Sequence, residues 1–311
     1  MKFACAAWTT MGAIVLSIAA ASISLEARAD TTSYRQSVEK WRQAYEAELK
    51  SDSGWLTVSG LFWLHEGENS FGSGPLNDIV LPAPAPATAG SFEFRSGHTI
   101  VHVKPGVTAT LGGKRIETAE MHPDSNTDQL AIGDLTLYVH SSGERYTIRL
   151  RDKNSHLRKD FTGTRWFPVD ESYRVTARYV PYDKPKQIEI QNVMGDTLSE
   201  TILGYVAFTL HGQELRLDAE VDGSDASFVF RDLTSGHETY AASRFLDTKI
   251  EKEGRVVLDF NQAYNPPCAY IPYTTCPLPP PQNRLAARIE AGEKIYHHAA
   301  GPASHRQATT N

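Results

Sequence analysis

Short runs in which apolar and polar residues alternate recur through most of this chain: TIVHVK (99–104), DLTLYV (134–139), RVTARY (174–179), QIEI (187–190) and ELRLD (214–218). Period-two alternation turns one face of each strand to a core and the other to water, the pattern of antiparallel sheet. Gly, Pro, Asn and Asp punctuate the runs. No strand–helix–strand rhythm appears, which argues against a Rossmann fold or a TIM barrel. A single helix is expected over 33–50, where Tyr34, Val38, Trp41, Tyr45 and Leu49 form one stripe at spacings of three and four. Ser33 with Gln36 fits a capping box, and Gly54 follows the end.

The first 29 residues read as a secretory signal peptide: a basic start, the apolar AIVLSIAAASISL, and Ala-Arg-Ala before Asp30. The apolar run is too short for a membrane span. The expectation is a periplasmic or secreted protein freed from a cleaved leader. A formal net charge of −6 with no basic run argues against nucleic acid as a partner. The charged stretch RDKNSHLRKD (151–160) suggests a boundary, giving an N-terminal helix and β-sandwich over 30–160 and a β-barrel-like domain over 161–296. Residues 297–311 have no apolar pattern and read as a disordered tail.

Within the first module, Phe71-Gly72, NDIVL (77–81), GGK (112–114) and Leu130 followed by Gly133-Asp134 come in an order that resembles forkhead-associated domains. That resemblance implies a β-sandwich and, in the family, phosphothreonine recognition. Two departures weigh against the recognition. Ser73 stands where the family carries an arginine, and Ser91 is followed by Phe92, Glu93 and Phe94 instead of the Ser-x-x-His element. A serine cannot pair bidentately with a phosphate as Arg does.

The segment NPPCAYIPYTTCPLPPPQNR (265–284) holds seven prolines. Such a stretch is compatible with neither a helix nor a central strand. Together with FTGTRWFPVD (161–170) and FRDLTSGHETYAASRFL (230–246) it resembles a prokaryotic family, domain of unknown function 1684, over about Gly54 to Tyr296. The resemblance implies no particular activity. Gln282 and Asn283 stand behind Pro281 where the family often carries Pro-Glu-Asn.

The residues of this strap leave several chemistries open. Cys268 and Cys276, the two cysteines beyond the leader, are spaced to close a disulfide in an oxidising compartment. Two thiolates alone fall short of a structural metal site, so no metal is expected. One of them as an activated nucleophile, or both as inert thiols, are the other readings. Tyr270 and Tyr273, with Tyr264 just ahead, suit either the closing of a barrel end or the gripping of a ligand. As a lid the strap would border a pocket, with Asn265, Asn283 and Arg284 as polar groups around it.

The stretch Phe230–Ser243 reads as a hairpin with its turn at Asp232–Gly236, placing Arg244 on the Glu238 face in a surface ion pair. Arg165 and Trp166 are candidates for a cation–π contact at the domain junction. No nucleophile elbow, zinc-protease motif, P-loop or dinucleotide fingerprint is present in the sequence, and no cofactor is expected.

Three functions follow as expectations. The first is binding of a small molecule in the second domain by Arg165, Trp166, Arg244, Tyr264, Asn265, Tyr270, Tyr273, Asn283 and Arg284. The second is a hydrolase using Asp232 with His237, or a strap cysteine. The third is an interaction scaffold for another envelope protein.

Overall fold

The computed structural model describes residues 32–298. The expected signal peptide, and the expected tail beyond His298, lie outside the described residues. The chain divides at Ala44/Tyr45 into two compact units, the second carrying every strand among the described residues. The helix α1 (32–49) has Val38 and Leu49 buried and Tyr34, Trp41 and Tyr45 half-buried, the stripe expected from their spacing. It is already helical at Thr32, so Ser33 lies inside the first turn and not at the expected cap.

The protein is mainly β. Two sheets form a sandwich. One holds β1 (Val58–Trp63), β11 (Arg145–Asp152), β10 (Leu135–Ser142), β9 (Leu130–Ile132), β6 (Thr110–Leu111) and β7 (Lys114–Arg115), in that order. The other holds β3 (Ile79–Val80), β2 (Gly67–Gly72), β4 (Gly90–Arg95), β5 (His98–Val103) and β8 (Thr118–Met121). All pairs are antiparallel except the short β2–β3 pair. Phe71, Phe92 and Val101 from one sheet meet Leu130, Leu137 and Ile148 from the other in one core. Of the polar residues in these runs, Lys104 and Asp134 are exposed and His102 and Thr136 half-buried, whereas Thr99 is buried.

A second antiparallel sheet system follows: β16 (Arg244–Lys249), β15 (Asp225–Phe230), β14 (Gln213–Asp222), β13 (Thr197–Leu210), β12 (Arg174–Gln191) and β17 (Arg255–Asp259), in spatial order. Its edge strands approach each other. Ile250 bridges Val256, and Thr248 Oγ1 donates to the Val257 carbonyl at 2.8 Å, so the sheet is nearly closed into a barrel. Along β13, Ile202, Gly204, Val206, Phe208 and Leu210 are buried at every second position. Val206, Phe208 and Leu210 meet Leu217, Phe228, Leu246, Leu258 and Phe260 in the barrel core. Burying side chains of this size contributes about 1.5–3 kcal/mol each.

Two details differ from expectation. RVTARY and QIEI are not separate strands but the two ends of β12, whose register with β13 shifts between Pro181 and Lys186. Pro181 and Pro185 lack the N–H that a regular ladder needs, so a shift at this place is where such residues are tolerated. The hairpin expected at 230–246 is also different. β15 pairs directly with β16, which begins only at Arg244, and residues 231–243 form a folded connection between them.

Candidate functional site

The proline strap is an interior element and not a lid. After Asn265 it makes a 3₁₀ turn at Pro267–Ala269, where a proline at the first position leaves no amide donor unpaired. Ala269, Tyr270 and Ile271 are buried against Leu49, Leu56 and Val58, with Trp55, Phe161, Tyr240 and Tyr273 packed around them. It then crosses to the β12–β13 hairpin, where Val193 N donates to Cys276 O at 3.0 Å and Leu278 N to Gln191 O at 2.8 Å. Asn283 is buried and completes the barrel. Its side chain donates to Asp218 O and Val229 O, both at 3.0 Å, and accepts from Asp218 N at 2.7 Å. There β14 and β15 are no longer paired with each other, so one amide side chain stands in for missing ladder bonds.

The strap begins beside a buried acid. Glu293 is fully buried, and its carboxylate accepts from Asn265 N at 2.9 Å and from the Tyr270 hydroxyl. Tyr45 from the end of α1 joins the group, donating to Asn265 O at 3.0 Å and lying 3.2 Å from the Tyr270 hydroxyl. Asn265 Nδ2 donates to Lys294 O at 2.8 Å, while its Oδ1 is buried without a partner among the described residues. Gly292 makes this approach possible. It has φ +82°, and a Cβ there would stand 2.5 Å from the Ala263 carbonyl.

Rings flank this polar floor. The Tyr45 ring lies 5.8 Å from Trp166 and 5.1 Å from Tyr264, and Tyr264 lies 5.8 Å from Phe245. Trp166 bridges Glu293 through the backbone, and Tyr264 donates its hydroxyl to Asp247 at 2.6 Å. Tyr45, Trp166 and Tyr264 are half-buried. Burial outweighs the hydrogen bonds received and pushes the Glu293 carboxyl up to about 7. The same burial raises Tyr45 and Tyr270 well above the ordinary phenol value.

Arg244 is wholly buried, not at the surface. Its guanidinium donates to Asp232, to Ile289 O at 3.1 Å and to Ala291 O, with the Phe230 ring 5.1 Å away. Burial pulls Arg244 down from its ordinary value, and the Asp232 charge opposes that. Asp232 also accepts from Thr234 N at 2.6 Å. Its carboxylate is therefore occupied, while His237 is exposed. The structure does not join the two into a dyad. Glu238 instead pairs with Arg288 at the surface.

Cys268 and Cys276 are free thiols in the structure, so the expected disulfide is not formed there. They are neighbours nonetheless. A hydrogen bond from the Cys268 thiol lowers Cys276 and raises Cys268 itself, with burial adding to the rise.

Of the residues picked out in the sequence, Trp166, Tyr264, Asn265 and Tyr270 gather around the buried acid. Arg165 and Arg284 are exposed, Tyr273 packs in the strap core, and Asn283 and Arg244 hold the barrel together. Glu293 and Tyr45 were missed. Glu293 sits in the polar run AGEK, which gives no sign of burial, and Tyr45 lies on the helix stripe. Two shallow depressions elsewhere, one lined by Gly143, Arg145, Glu189 and Asp196 and one by Arg178, Ala207 and Arg216, include no strap residue.

Residues 159–294 match the family described as protein of unknown function (DUF1684). The solution NMR structure of the uncharacterized protein from gene locus rrnAC0354 of Haloarcula marismortui is 31% identical, with a TM-score of 0.37, covering 44% of this chain and 78% of that one. No curated protein matches the sequence.

Proposed function

We propose, for a chain whose residues 159–294 belong to the DUF1684 family, a binding function: a small molecule held in the second domain at the cluster of Tyr45, Trp166, Tyr264, Asn265 and Glu293. The observation that carries it is Asn265 Oδ1, a fully buried acceptor with no partner among the described residues, set beside rings that water still reaches. A buried acceptor left unpaired costs about 1–3 kcal/mol, a cost that a donor on a ligand removes. The ligand class is therefore a molecule with an apolar face for Trp166 and Tyr264 and a hydroxyl or amine donor for Asn265. Such a ligand at a hundredfold excess over its Kd stabilises by about 2.7 kcal/mol, a rise in Tm of roughly 5–10 °C. Thermal-shift screening of hydroxylated and amine-bearing metabolites checks this. Trp166→Ala and Tyr264→Ala should each abolish the rise, and a stabiliser equally effective on both variants places the ligand elsewhere.

The export expected from the leader makes oxidation of the thiol pair part of the same proposal. Joining Cys268 to Cys276 closes a short loop and stabilises by about 2.5 kcal/mol on chain-entropy grounds. Mass spectrometry of secreted protein should find it lighter by two hydrogens than after reduction and resistant to alkylation. Two sulfhydryls that alkylate at once without reductant would contradict it.

For the sandwich we propose a structural role only. Ser73 Oγ donates to the Ala85 carbonyl at 2.6 Å, so the position that a phosphate-reading arginine occupies in forkhead-associated domains is spent on the backbone.

A further inference from the structure

Asp124, His140 and Thr275 belong to none of the groups described above, yet three elements bring them into line. Asp124 follows β8 in a left-handed turn with φ +56°, a conformation Asp tolerates. His140 is on β10, and Thr275 stands on the strap next to Cys276. His140 Nδ1 hydrogen-bonds Asp124 Oδ1, and His140 Nε2 lies 2.7 Å from Thr275 Oγ1. The second Asp124 oxygen accepts from Ser141 N at 3.2 Å and Ser141 Oγ at 2.7 Å, which fixes the carboxylate. Arg149 Nη2 donates to Thr275 Oγ1 at 3.2 Å.

With the His140 ring neutral, the Asp124 carboxylate sets the direction of each bond in this chain. Partial burial would raise Asp124, but the bonds from His140 and Ser141 outweigh it and hold the carboxyl at about 2, so it is an acceptor at neutral pH. Nδ1 must then carry the proton, which leaves Nε2 of the neutral ring as an acceptor. Thr275 consequently donates its hydroxyl proton to Nε2 and accepts from Arg149. Nucleophile, base, orienting carboxylate and a cation beside the nucleophile oxygen are thus in register. The Arg149 Nε is buried without a partner among the described residues, a further donor for a substrate oxygen. The group is reachable: the His140 side chain is 16% exposed and that of Asp124 50%.

We propose that Thr275, His140 and Asp124 form a hydrolytic centre that cleaves small esters through an acyl-Thr275 intermediate. Thr275 Oγ1 attacks the ester carbonyl as its proton passes to His140 Nε2, and the carbonyl π pair moves onto oxygen. Collapse of that adduct breaks the bond to the alcohol, which leaves with the proton from Nε2. Water then attacks the acyl carbon, giving its proton to Nε2. Expulsion of Thr275 Oγ1, which takes that proton back, releases the acid, so the net reaction is ester plus water to acid plus alcohol. Arg149 stabilises the charge developing beside Oγ1, and Asp124 holds the imidazolium.

The test uses the full mature chain with p-nitrophenyl acetate and, separately, a fluorophosphonate probe followed by peptide mapping. Turnover together with a probe adduct on Thr275 is the expected result. Thr275→Val, which keeps the shape and removes the hydroxyl, and His140→Ala should each lower kcat by about 10³-fold or more. Thr275→Ser should keep or raise it and shows that the position tolerates change. Unchanged turnover in Thr275→Val, a probe adduct on another residue, or the absence of both turnover and adduct overturns the proposal.

Discussion

Asp232→Ala is expected to destabilise the barrel by about 3–5 kcal/mol, because it leaves the Arg244 guanidinium buried with no counter-charge. The two carbonyls that remain, Ile289 O and Ala291 O, satisfy hydrogens but do not neutralise the charge. Arg is too strong a base to escape by losing its proton. Thr234 would lose its acceptor as well, which loosens the connection between β15 and β16. For a domain of this size the loss corresponds to a fall in Tm on the order of 10 °C. Denaturant titration of wild type, Asp232→Ala, and the doubly apolar Asp232→Leu/Arg244→Met separates the causes. The double variant should recover most of the loss, since a buried pair adds little over well-packed apolar side chains. A cost under 1 kcal/mol for Asp232→Ala would mean that the guanidinium finds water, and the buried-pair account would fail.

This pair also marks where the sequence stops being readable. Period-two burial is visible along ELRLD in β14, where Leu215 and Leu217 turn inward and Glu214 and Arg216 are exposed, and the helix stripe from Tyr34 to Leu49 is equally plain. Both are local patterns, set by the geometry of one element. Arg244 follows the small residues Ala241, Ala242 and Ser243, and nothing in its neighbours distinguishes a buried arginine from a surface one. What buries it is residues 289–291, some 45 positions later, and no one-dimensional spacing carries that. The site behaves likewise. Tyr264, Asn265 and Tyr270 were legible because the prolines around them single out one segment. Glu293 and His140 were not, since each acquires its role from a partner far along the chain, Asn265 and Thr275 respectively.

The larger consequence of Glu293 is a stability that falls as pH rises. Its folded-state value of about 7 lies above the ordinary carboxyl value of 4.5, because burial penalises the charged form more than the donors around it favour it. Between those two values the folded chain binds more protons than the unfolded chain, so stability declines with pH. The contribution is complete below pH 4.5, begins to go above it, and is lost once pH passes about 7. The slope is about 1.4 kcal/mol per pH unit, on the order of 3 kcal/mol across the window. Glu220 is pushed up to about 7 for the same reason, burial first, so a single wild-type curve mixes two groups. The difference between wild type and Glu293→Gln isolates one of them. The amide stays neutral, so the variant should hold its stability better than wild type between pH 5 and 7.5. Parallel denaturation midpoints for the two proteins across that range would mean that Glu293 is ionised and solvated when folded. Water that reaches Glu293 would also reach the adjoining Asn265 Oδ1, and the gain assigned to a ligand donor at that oxygen would disappear with it.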